Sequence, residues 1–249
     1  MLISRCLLAA TALWLTQIEI ARCAEQVDLL LTLAMDVSLS IDELKFRLQR
    51  EGYAAALTNP QVLAATKTGP HQKIAICFID WSGPAQQQLL IDWTIIDGPP
   101  AAQRFGELIL KASRSFNEST SIGGAIDFAS NQLSRAAFNA ERRAIDISGD
   151  GTNNAGREVR LDRDRAVAKG VTVNGLVILT DIKLTSNARH TNPPEGLEKY
   201  YRDNVIGGRG SFVMVAEDIG AFGRAIARKL VAEIATGGPS PHNASVAGR

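Results

Sequence analysis

Six short apolar runs alternate with helix-like segments along most of this chain, and that alternation limits the folds open to it. The runs are 27–35 (VDLLLTLAM), 73–80 (KIAICFID), 89–96 (LLIDWTII), 142–148 (RRAIDIS), 171–179 (VTVNGLVIL) and 211–215 (SFVMV). Between and after them, helical spacing runs through 42–58, 100–115, 122–138, 158–169, 195–204 and 218–235. In the last, Ile219, Phe222, Ile226, Leu230 and Ile234 fall on one face. Runs that are apolar at nearly every position suit strands buried on both faces. Their alternation with helices makes most of them parallel, with the helices as crossovers. The segments 73–80 and 89–96 are the exception, because only WSGPAQQQ joins them. That connection is too short for a helical crossover and implies an antiparallel hairpin at one edge. The expected class is α/β: a doubly wound, mostly parallel sheet with an antiparallel edge strand and helices on both faces.

The two ends read differently. Arg5 precedes the ten-residue apolar stretch CLLAATALWL, and polar Gln17 and Glu19 follow. That is too short to span a membrane and the right length for a secretory signal. Cleavage after Cys23 puts Ala21 at the −3 position; cleavage after Ala24 would put Arg22 there. The expected layout is a signal peptide at 1–23, a domain at 25–236 and a disordered tail at 237–249, in a periplasmic or secreted protein with no membrane span after cleavage. With the signal removed, Cys77 has no partner for an internal disulfide, and its place between Ile76 and Phe78 implies a buried, inert thiol. A formal net charge of +1 gives no electrostatic case for nucleic acid, and three scattered histidines give none for a His-rich metal site.

In a parallel α/β sheet, ligands gather at the carboxyl ends of the strands. After the first run stand Asp36, Ser38 and Ser40, at alternate positions, in DVSLS. After the fourth stands Asp150, in SGDG, and before the helix at 122 stand Ser119, Thr120 and Ser121. These are oxygen donors, and several are neutral hydroxyls, which suits a hard divalent cation. Two carboxylates about 5 Å apart repel by roughly 3 kcal/mol at an effective dielectric near 20. A proton or a metal must relieve that if Asp36 and Asp150 face each other. Local readings compete: Ser40 with Glu43 makes a capping box, Thr120 or Ser121 makes an N-cap, and Asp150-Gly151 makes a turn. Asp80 and Asp181 read as solvated strand ends, and His190 as part of a polar loop, 183–197, away from this rim.

DVSLS after a hydrophobic first strand, STSIGGAI before a helix and ISGDG after a later strand together resemble the von Willebrand factor type A domain over about residues 27–235. With WSG and SGDGTNNAG, the chain is similar to a bacterial group of exported A-domain-like proteins. The resemblance implies a Rossmann-like fold and a metal-ion-dependent adhesion site. It implies that Ser38, Ser40 and Thr120 hold Mg²⁺ (or Mn²⁺) directly, with Asp36 and Asp150 acting largely through water. Thr120 is favoured over its neighbours because Gly123 stands three residues on. Where the family commonly has T-D-G, this chain has Gly149 before Asp150.

The function expected from this is a metal-dependent binding module that captures a carboxylate of a protein partner. The alternative is a Mg²⁺-dependent hydrolase acting on phosphate esters. Neither a G-x-S-x-G elbow nor a P-loop is present to favour the enzyme.

Overall fold

The computed structural model describes residues 24–179 and 188–235. The signal-like segment, Asp181 and the tail from Gly237 lie outside the described residues. A central sheet is built from β2 (Leu30–Asp36), β3 (Ile74–Trp81), β4 (Gln87–Ile96), β6 (Arg143–Gly149), β7 (Thr172–Ile178) and β8 (Val213–Ala216), in the order β4-β3-β2-β6-β7-β8. Every pairing is parallel except β3 with β4, which is the hairpin required by the short WSGPAQQQ connection. Two residues each from β1 (Glu25–Gln26) and β5 (Phe138–Asn139) form a small separate parallel pair.

The sheet separates two apolar cores, because alternate side chains of a strand point to opposite faces. Leu31, Leu33 and Met35 of β2 pack on one face with α1 (Glu43–Leu57), α2 (Pro60–Ala65), α3 (Pro99–Lys111) and α8 (Phe222–Ile234). Leu30 and Ala34 pack on the other with α4 (Ile122–Arg135), α5 (Val159–Ala168) and Leu197, Tyr201 and Val205. All seven β2 residues are buried, as befits a mostly apolar strand covered on both faces. α2 was not read from its spacing; Asn59 caps it by accepting from the Gln61 amide, and Pro60 opens it. The polar loop contains a short α6 (Ala188–Thr191), and the expected helix at 195–204 divides into α7 (Leu197–Tyr200) and a π-turn at Tyr201–Val205. The Ile206 amide donates to the Tyr201 carbonyl at 3.0 Å and closes that wider turn. No helix among the described residues is long and apolar enough to cross a membrane.

The order of the strands fixes where a ligand can sit. The chain leaves β2 toward β3 and β4 on one side, then returns to place β6 against the opposite edge of β2. That reversal opens a crevice at the carboxyl ends of β2 and β6, the usual binding point of such sheets. Asp36 ends β2, and Asp150 follows Gly149, the last residue of β6.

Asp80 corrects the expectation of a solvated strand end. It is fully buried and faces Arg50 of α1, itself almost fully buried, with Nη2 of Arg50 2.9 Å from each carboxylate oxygen. Cys77 is buried and its thiol is pushed up to about 12, chiefly by burial, which matches the inert thiol expected.

Candidate metal centre

The DVSLS segment curls back on itself directly after β2. The Ser38 amide donates to Oδ1 of Asp36 at 2.8 Å, and the Ile41 amide donates to the Ser38 carbonyl at 3.0 Å. The curl brings the Ser38 and Ser40 hydroxyls to 3.3 Å from each other. Ser40 is not the helix cap. Asp42 takes that role, accepting from the Lys45 amide at 2.8 Å, and the Ser40 hydroxyl donates to Oδ1 of Asp150 instead. Asp150 is buried, and its Oδ2 lies 3.0 Å from the ammonium of Lys45, which also donates to the Ser40 carbonyl at 2.9 Å.

The loop carrying Thr120 is held against this cup from two sides. On one, Ser82 follows β3: its hydroxyl donates to the Ser119 carbonyl at 3.1 Å and accepts from the Glu118 amide at 2.9 Å. The Leu39 amide adds a bond to the Glu118 carbonyl at 2.9 Å. On the other side, the Thr120 amide donates to Oδ1 of Asn154 at 2.8 Å, and the Ile122 amide to Oδ1 of Asn153 at 2.8 Å. Ser121 caps α4, which leaves the buried Thr120 hydroxyl for other work. WSG and TNN, which carried no assigned chemistry in the sequence, are thus the clasps of the rim.

Asp36, Ser38, Ser40 and Asp150 therefore form one connected cluster. Among the described residues the Thr120 side chain bonds none of these four; its hydroxyl lies 3.2 Å from Nε2 of His190. The Nδ1 of the same ring lies 3.2 Å from the Thr152 hydroxyl, and the ring covers Gly151, where an added Cβ would lie 2.3 Å from Nε2. His190 was expected away from the rim and stands on it. Burial lowers its pKa, against the pull of Asp150. Lys45 was missed as well. Its position, five residues after Ser40, puts it in the first turn of α1 above the cup, a signal visible only once Asp42 is known to be the cap.

The electrostatics are those of a site short of positive charge. Burial, then the charge of Asp150, push Asp36 up to about 8. Its Oδ2 is buried with no hydrogen-bond partner, a state that costs about 1–3 kcal/mol for an ordinary polar group and more for a charged one. Beside it the Tyr201 hydroxyl is also buried and unpartnered. Burial, then Asp36 and Asp150, hold that phenol well above its ordinary pKa. The donors are carboxylate and hydroxyl oxygens, the set a hard divalent ion takes. No cluster of three or more His, Cys, Asp or Glu side chains occurs among the described residues, so hydroxyls must supply part of any cation site here. The orphaned oxygen of Asp36 and this donor set fit such an ion.

Solved structures share the architecture. The proximal thread matrix protein 1 from mussel byssus, in a form with a zinc-occupied MIDAS motif, aligns with a TM-score of 0.56 at 15% identity over 84% of this chain and 48% of its own. The pilus adhesin SpaC from Lactobacillus rhamnosus GG gives 0.55 at 12% over 84% and 31%, and a von Willebrand factor type A protein from Catenulispora acidiphila gives 0.54 at 12% over 84% and 43%. This chain thus spans less than half the length of each. None of the curated proteins matches it in sequence. The fold is that of von Willebrand factor type A domains, with a mostly parallel sheet, one antiparallel pair and surrounding helices. Residues 26–238 match the family described as "Protein of unknown function (DUF1194)", and to that family the chain belongs.

Proposed function

We propose that this chain is an exported binding module that captures an acidic group of a protein partner through a divalent ion, Mg²⁺ or Mn²⁺. Ser38, Ser40 and Thr120 would hold the ion through their hydroxyls, and Asp36 and Asp150 largely through water. The observation that carries the reading is the convergence, at the switch point of the sheet, of Asp36 with its orphaned oxygen and the Ser40–Asp150 contact. The ion would supply Lewis acidity and an electrostatic anchor for a carboxylate. Leu39, between the two serines, is 68% exposed and offers an apolar contact beside that anchor. The signal-like segment at 1–23 supports delivery to the periplasm or beyond. The zinc-occupied motif named for the mussel protein supports a metal in a fold of this type.

The test is a pull-down from envelope extract with the mature protein, with and without EDTA, beside Asp36→Ala. A partner retained only by wild type and only without EDTA supports the reading. A mature protein that binds neither Mg²⁺ nor Mn²⁺ at millimolar concentration in calorimetry defeats it.

One observation favours the second reading, a Mg²⁺-dependent hydrolase of phosphate esters. His190, with its lowered pKa, places an imidazole on the rim, where a general base would be needed. Metal-dependent turnover in a phosphatase screen, lost in both Asp36→Ala and His190→Ala, would put this reading first.

A further inference from the structure

The departure from T-D-G at Gly149 has a physical counterpart elsewhere in the chain. A Cβ on Gly149 would lie 2.6 Å from the Tyr201 hydroxyl and 3.0 Å from Oδ2 of Asp36. On the neighbouring strand, a Cβ on Gly175 would lie 2.9 Å from Cδ1 of the same tyrosine. Two strands thus lack a side chain exactly where one ring enters. A slot is left between β6 and β7, and Tyr201 fills it completely buried. The π-turn that begins at Tyr201 sets the ring's entry, and such wide turns concentrate at functional sites.

What the ring delivers is a hydroxyl. A phenylalanine would fill nearly the same volume without burying a polar group, so the phenol must be accounted for. Its oxygen has no hydrogen-bond partner, and neither has Oδ2 of Asp36, yet both border the space above Gly149. A phenol O–H can donate, and a carboxylate oxygen beside a bound cation can only accept. Two unpartnered groups border one point, where a small shift or a shared water would let the phenol serve the carboxylate.

We propose that Tyr201 is a positioning residue of the cup, its phenol O–H orienting the second oxygen of Asp36 toward a bound divalent ion from the slot that Gly149 leaves open. In this chain the tyrosine from the π-turn supplies the hydroxyl that a side chain at position 149 does not. The inference rests on the metal-site reading above and goes beyond its five ligands. Loss of an outer partner of this kind weakens metal binding by roughly 10–100-fold while the ligands remain.

The test is Mn²⁺ binding by calorimetry to mature wild type and Tyr201→Phe, with thermal unfolding of both in EDTA as a check on the fold. Tyr201→Phe should bind Mn²⁺ about 10-fold or more weakly and unfold within a few degrees of wild type. The ion should also perturb the near-ultraviolet tyrosine absorption of wild type, and that signal should be absent from Tyr201→Phe. As a second variant, Gly149→Ala should be destabilised by its clash with the phenol and regain stability in the double variant Gly149→Ala/Tyr201→Phe. Wild-type binding with equal affinity in Tyr201→Phe overturns this inference and leaves the metal reading standing. No Mn²⁺ binding by wild type overturns both.

Discussion

The ammonium of Lys45 stands 3.0 Å from Oδ2 of Asp150, and the other oxygen of that carboxylate takes the hydroxyl of Ser40. The cup therefore carries its own cation, anchored in the first turn of α1. A divalent ion bound as proposed would share Asp150 with this ammonium, and the two would repel each other through a partly buried medium. Lys45→Met should tighten Mn²⁺ binding on the order of tenfold by removing that repulsion. The same change leaves Asp150 buried without its counterion, so the metal-free protein should unfold at lower temperature. Calorimetry and thermal unfolding in EDTA read the two effects, and an unchanged affinity would show that the ammonium does not compete.

Asp36 pulls in the opposite direction. Its second oxygen is buried and unpaired, so the metal-free protein bears the cost of keeping it. At pH 9, above the raised pKa of about 8, Asp36→Asn keeps the shape and removes the charge. It should raise the unfolding temperature in EDTA by a few degrees and abolish the further rise that Mg²⁺ should give wild type. A variant less stable than wild type in EDTA would contradict this account.

Arg50 and Asp80 tie α1 to β3 beneath the rim, both almost wholly out of water. Burial raises the Asp80 pKa and lowers that of Arg50, each against the pull of the other. Removing one partner strands the other. Arg50→Met should cost about 3–5 kcal/mol, or on the order of 10 °C in unfolding temperature. A double variant, Arg50→Met/Asp80→Leu, should recover much of that loss, as a cycle of unfolding measurements would reveal.

A second buried charge group gives the fold a dependence on pH. Lys229 of α8 lies 2.7 Å from Asp146 of β6 and bonds Glu233 one turn on, which accepts from Asn174 of β7 at 2.9 Å. Burial raises Glu233 from its ordinary 4.5 to about 7, against the pull of Lys229, and it also raises Asp146. The folded protein then holds a proton that the unfolded chain releases. Stability should be greatest at the acid end of this window and fall as pH rises from about 4.5 to about 7, by up to about 1.4 kcal/mol per pH unit for one proton. Asp36, raised to about 8, adds a slope of the same sign, so Glu233→Gln should make the slope shallower in chemical denaturation at stepped pH, and an unchanged slope would refute the assignment.

The six strands were legible because binary patterning is a local property: β2 is apolar at almost every position and buried at all of them. The short step from β3 to β4 was legible for a similar reason, since chain length alone forbids a crossover. Local signals failed where two residues competed for one role. Ser40 with Glu43 reads as a capping box, yet Asp42 caps the helix, and only the position of Asp150 shows why Ser40 is left over. Asp80 reads as a strand end facing water because Arg50, 30 residues earlier, gives no local sign of pairing with it.

By itself, then, the sequence determined the six strands of the main sheet and the longer helices but not α2, and that oxygen donors, not sulfur or imidazole clusters, end the strands. Tertiary structure alone decided that Ser40 meets Asp150, 110 residues away, that Lys45 and His190 border the same cup, and that Gly149 and Gly175 open a slot for Tyr201. The physical reason is that parallel strands are joined by long crossovers. Neighbours at the carboxyl edge of the sheet are therefore remote in the chain, and their pairing is set by strand order and helix packing, not by local spacing.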